Sequence, residues 1–142
     1  MIGILIVTHG NFGTELLKSA ELIIGKQENV ETLGLNHGDS VDELYKKVKD
    51  AIQKLDTGKG VLILTDLFGG SPSNVAAASL KGNDRRIESI AGVNLPMLIE
   101  ALDLRTRENL QDIVNKIIQT GIEGIKNIRL ELSKRSNSAQ EA

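Results

Sequence analysis

Residues 2–10 read Ile-Gly-Ile-Leu-Ile-Val-Thr-His-Gly. An aliphatic run that gives way at once to a polar, glycine-containing turn is the pattern of a strand buried on both faces, as in a parallel sheet. Residues 61–70, Val-Leu-Ile-Leu-Thr-Asp-Leu-Phe-Gly-Gly, have the same form. Between and after these runs lie longer stretches of helical periodicity, and alternation of the two predicts stacked βαβ units. Outward from the first strand, Leu16, Leu17, Ala20, Ile23 and Ile24 predict a helix over 14–24 that Gly25 ends. A weaker strand follows at 30–35. Ser40 opens a helix carrying Val41, Leu44, Tyr45, Val48, Ile52 and Leu55, with Glu43 placed for a capping box. After the strand at 61–65, Ser71-Pro72 reads as the N-cap and first position of a helix stopped by Gly82. A fourth strand is expected at 86–91, then a short helix near Pro96 and a longer one over 106–120. Ile128, Leu130 and Leu132 alternate strictly, predicting a half-exposed strand, and 133–142 read as a flexible tail.

At 142 residues the chain suits one domain with its own core. Its net charge of −2, with both signs interspersed, lacks the basic footprint of a nucleic-acid binder. Without cysteine there is no disulfide, thiolate nucleophile or cysteine-based zinc site, and His9 and His37 alone make no metal centre. The amino terminus has no basic segment ahead of its apolar run, and no apolar run approaches the roughly 20 residues that span a bilayer. A cytoplasmic protein is expected. There is no GxxxxGK[ST] loop for a nucleotide-driven kinase. A receiver domain would need carboxylates after the first strand to hold Mg²⁺, where Thr8-His9-Gly10 stands. A flavodoxin-like ligand-binding domain is an alternative reading, since residues 8–15 have the Thr and Gly content of a flavin phosphate loop. One Tyr and two Phe, without Trp, are a poor supply for a ring sandwich.

In an open parallel sheet, ligands gather beyond the carboxyl ends of the strands. The loops there carry His9, Asp66 and the Gly69-Gly70-Ser71 turn. If the first and third strands are neighbours, Asp66 can accept from one imidazole nitrogen and leave the other as an oriented lone pair. Such a nitrogen is a nucleophile at neutral pH, and amides at the start of the helix after Ser71 would receive phosphate oxygens. From spacing alone, Asp66 as a turn cap, Gly69 and Gly70 as turn glycines and Ser71 as an N-cap remain equally open.

Three blocks, ILIVTHGNFG (4–13 with the lead-in from Met1), VLILTDLFGGSPSNVA (61–76) and IAGVNLPMLIEAL (90–102), resemble the IIA domain of the mannose family of the phosphoenolpyruvate-dependent sugar phosphotransferase system. The likeness runs over 1–132, which is expected to form the domain. It implies a three-layer α/β sandwich around a mainly parallel sheet of order 2-1-3-4, with the C-terminal strand exchanged between the subunits of a homodimer. It implies a phosphotransferase component in which His9 takes a phosphoryl group from phospho-HPr and passes it to a IIB protein, and so indirectly to membrane IIC and IID components. Asp66 matches the ring-holding acid, and Thr65 and Ser71 the hydroxyls beside the phosphoryl group, supported by Gly10, Gly69 and Gly70. No cofactor is implied. A IIA protein that regulates without its own permease is the alternative within the family. One departure is His37-Gly38-Asp39 where family members tend to carry a Pro-Gly-acidic turn, and His37 is expected to be a turn residue. With no IIB segment in the chain, a separate acceptor is expected.

Overall fold

The computed structural model describes residues 1–81 and 86–141. Four strands, β1 (Gly3–His9), β2 (Val30–Leu35), β3 (Val61–Thr65) and β4 (Ile87–Ala91), form one sheet of order β2-β1-β3-β4 in which every pairing is parallel. The helices are α1 (Phe12–Ile24), α2 (Val41–Leu55), α3 (Gly70–Ala78), α4 (Leu95–Leu104), α5 (Leu110–Glu123) and α6 (Ile128–Glu141). Side chains alternate across a strand, so the aliphatic runs of β1 and β3 feed two cores at once. Ile4, Ile6, Leu62 and Leu64 pack with α1, α4 and α5, whereas Leu5, Val7, Val61 and Ile63 pack with α2 and α3. That is the expected three-layer sandwich, with both faces of the sheet covered.

Local chemistry sets the helix ends. Ser40 accepts from the Glu43 amide at 3.3 Å to start α2, Asn94 from Met97 at 3.1 Å for α4, and Asn109 from Asp112 at 2.9 Å for α5. Gly25 closes α1 at a φ of 89°, a backbone state suited to glycine. Leu44, Val48, Ala51 and Leu55 bury the inner stripe of α2, while Val41 and Tyr45 lie at its exposed margin. Helix α3 ends at Ala78, and the expected stop at Gly82 lies outside the described residues. No helix among the described residues is long and apolar enough to cross a membrane.

Two expectations are corrected. Ser71 is not the N-cap of α3: Gly69 is, and the helix begins at Gly70. The chain reverses through Gly69 and Gly70, at φ of 98° and 81°, two residues earlier than a Ser-Pro start requires. The second concerns Ile128–Leu132, which is helical within a single chain. Three alternating residues are a short pattern, and an unpartnered strand would leave its backbone groups unpaired, whereas a helix satisfies them internally. Asn127 starts that helix by accepting from the Leu130 amide at 3.1 Å. Residues 133–141 continue it. Ile128, Leu130 and Leu132 are 75%, 52% and 57% exposed, so α6 gains little from burial. Among the described residues, the outer edge of β4 carries no further strand. Beside it, Phe68, Met97, Ile118, Ile122 and Ile125 border a groove of about 480 Å³.

Candidate active site

His9 is the last residue of β1, and Asp66 directly follows β3. Val7 is level with Thr65 in the parallel pairing, so the two side chains leave adjacent strand ends. One carboxylate oxygen, Asp66 Oδ2, accepts both from the His9 amide, at 3.0 Å, and from ring Nδ1, at 2.8 Å. The other, Oδ1, accepts from the Leu67 amide at 3.1 Å. Main chain and ring are thus held by the same group, which leaves little freedom to the imidazole. The His9 side chain is 49% exposed and that of Asp66 10%. Burial opposes the charge on Asp66, yet the bonds from the His9 amide and ring, with the charge of the imidazole, hold its carboxyl below the usual carboxylate range.

In the neutral ring, with Nδ1–H given to Asp66, the lone pair resides on Nε2. A Cβ built on Gly70 would stand 3.4 Å from Nε2 and 3.3 Å from Cε1, so the free edge of the ring faces the start of α3. The first amides of a helix are unpaired within it and carry the positive end of its dipole, an arrangement that receives anions. No side chain caps α3. Ser71, released from capping, is half-buried in the first turn. The Thr65 hydroxyl, on the α3 side of the sheet, is buried with no hydrogen-bond partner among the described residues. Gly10 turns the chain away from His9 at a φ of 54° while its amide donates to Leu35 at 2.9 Å.

His37 lies in an exposed turn closed by Asp39 to Asn36 hydrogen bonds, apart from these groups. No cluster of three or more His, Asp or Glu among the described residues is placed to hold a metal ion. Two further residues hold the turn, Thr8, which reads from sequence as an ordinary strand-end hydroxyl, and Gly34, which drew no reading. Thr8 is fully buried, and its hydroxyl bonds to both sides of the His9 turn. Gly34 lies in β2 beneath the turn, where a Cβ would come within 2.1 Å of the Gly10 carbonyl oxygen. A glycine inside a strand is itself the signal of such an approach. Phe12, the first residue of α1, and Phe68, two residues after Asp66, are both phenylalanines of the chain and both exposed.

A family model described as the PTS system fructose IIA component matches residues 3–118. The chain is 39% identical to the mannose-specific EIIAB component of Escherichia coli over 142 residues, spanning 99% of itself but 44% of that protein. It therefore covers less than half of that relative. It is 38% identical to the fructose-specific EIIA component of Bacillus subtilis over 117 residues, which is 82% of this chain and 80% of the other. Among solved structures, a phosphotransferase system EIIA component from Streptococcus agalactiae superposes with a TM-score of 0.84 at 39% identity, covering 92% of this chain and 99% of that one. A mannose/sorbose-specific IIA subunit from Enterococcus faecalis gives 0.78 at 26% identity, over 89% and 93%.

Proposed function

The chain belongs to the mannose-type IIA family of the sugar phosphotransferase system, and from that premise we propose that His9 Nε2 is the atom that carries the phosphoryl group. The observation that supports this reading is the 2.8 Å bond between His9 Nδ1 and Asp66 Oδ2, with the opposite ring edge turned to the start of α3. Phospho-HPr is the donor: its phosphorus–nitrogen bond breaks as the Nε2 lone pair forms the new one, and the donor imidazole leaves with the electron pair. The Nδ1 proton stays between His9 and Asp66, whose carboxylate balances the positive ring. Phosphoryl transfer asks chiefly for positioning and charge stabilisation. The α3 amides and the Ser71 and Thr65 hydroxyls supply donors to the phosphoryl oxygens, and Gly10, Gly69 and Gly70 allow the close approach. A IIB protein then accepts the group by the reverse sequence, for uptake of a sugar.

Residues 1–132 make up the carrier unit, in the cytoplasm, and the unit works as a homodimer. In the dimer, Ile128–Leu132 of one copy leaves α6 and extends along the β4 edge of the other. The unfilled apolar groove beside β4 and the exposure of α6 support this arrangement.

Incubation with phosphoenolpyruvate, enzyme I and HPr is expected to add one phosphoryl group that is acid-labile and alkali-stable. His9→Ala should abolish the labelling and His37→Ala should leave it intact. Undiminished labelling of the His9 variant would overturn the assignment.

A further inference from the structure

The groups that touch the His9 ring account for its orientation but not for what holds the exposed turn beneath it. Gly10 follows His9 with a left-handed φ of 54°, and glycine imposes little stiffness of its own. The next residue, Asn11, sits at the N-cap position of α1 but makes no side-chain cap bond. That helix's orphan amide is satisfied from elsewhere. The Gly13 amide donates to the Thr8 hydroxyl at 2.9 Å, and the same hydroxyl donates to the His9 carbonyl at 3.2 Å. Thr8 is 0% exposed, so water does not compete for either bond. Gly13 is what lets the helix sit so close, since a Cβ there would meet Thr8 Oγ1 at 3.3 Å and Ile6 Cγ2 at 2.8 Å.

From this the geometry points to Thr8 as a positioning residue for phosphoryl acceptance at His9. One buried oxygen ties the carbonyl after the reactive ring to the first turn of α1, so that the ring stays on Asp66 with Nε2 unprotonated. The inference rests on the reading of His9 as the phosphoryl carrier. Asp66 fixes the amide side of His9, and Thr8 fixes the carbonyl side. With both peptide groups held, Nδ1 has one place to donate. Release of the carbonyl side frees the His9–Gly10 peptide to rotate, and the ring then exchanges toward the Nε2–H tautomer, which has no lone pair on Nε2 to attack phosphorus.

A role confined to capping α1 would alter stability without altering the ring. Thr8→Val keeps the shape and removes both bonds, whereas Thr8→Ser keeps the hydroxyl. The measurements are single-turnover labelling of His9 by phospho-HPr and by phosphoramidate, a small donor that needs no docking, together with the ¹⁵N spectrum of the His9 ring. In Thr8→Val the limiting rate is expected to fall about tenfold with both donors at unchanged KM for HPr, as for a mispositioned reacting group. The Nε2–H tautomer should rise, and Thr8→Ser should restore both readings. A folded Thr8→Val with the wild-type rate and tautomer would overturn the proposal. If that variant does not fold, Thr8→Ala carries the same comparison, and failure of both to fold would assign the hydroxyl to stability alone, against the proposal. Absence of labelling in the wild type with either donor would instead remove the reading of His9 itself.

Discussion

At the scale of the residue, the carboxyl group of Asp66 couples reactivity to stability. Its folded-state proton affinity is lowered, so the bound form of the pair contributes stability at pH values above the ordinary carboxylate range. That contribution is lost as pH falls through the depressed folded value, since the unfolded chain takes up the proton first. Asp66→Asn is therefore expected to melt lower than the wild type at neutral pH, with the gap closing below about pH 4. Thermal melts over a pH series check this, and a gap that widens in acid would contradict it. The same variant should transfer phosphate more slowly with its fold retained, because an amide cannot balance the charged ring. The sequence pointed to His9 and Asp66 because a polar group at the end of a buried strand has nowhere in the core to hide. It could not reveal that Asp66 holds the His9 main chain as well, because strand register decides that. Thr8 was passed over for a related reason: its importance lies in contacts to a carbonyl and an amide, which leave no trace in side-chain spacing.

At the scale of the element, legibility followed burial. Strands β1 and β3 could be read because they are aliphatic on both faces, and helices α2 and α5 because each presents one apolar stripe to the sheet or its neighbouring helix. The start of α3 was misread by two residues, since Ser-Pro is a good helix opening but the Gly-Gly pair before it can turn the chain sooner. The last segment was read as a strand from three alternating residues and is a helix within one chain, because a strand takes its hydrogen bonds from a neighbour that alternation does not record. Arg105, the C-cap of α4, shows the opposite case of an element end held by tertiary contacts. Its buried guanidinium donates to Asn29 O at 2.9 Å, Gln27 Oε1 at 3.2 Å and Ile2 O at 3.4 Å, and also to Glu28 O. These lie at the amino ends of the strands, opposite to His9. Arg105→Leu strands those oxygens and should cost about 2–4 kcal/mol of stability, read from denaturant melts. Phosphorylation of His9 below the melting transition is expected to be unchanged, and a parallel loss of rate would show the two ends to be coupled.

At the scale of the whole molecule, the sheet divides the work along its strands. One end is pinned by Arg105, and the other presents His9 and Asp66 among glycine turns. Two layers of helix keep the strands between them rigid. The remaining lateral direction is unfinished at β4. Light scattering is expected to give about twice the 15.4 kDa of one chain, and a mass near that single value at micromolar concentration would contradict the strand exchange. The bare edge matters before any second copy is met. β4 is synthesised ahead of residues 128–132, so during translation its unpaired groups and flanking isoleucines stand open while the segment that would cover such an edge is still inside the ribosome. An edge of that kind templates any extended chain. The hazard therefore falls in crowded, rapid expression, where neighbouring nascent chains outnumber folded ones, and the yield of folded protein depends on how soon residues 128–132 emerge after β4.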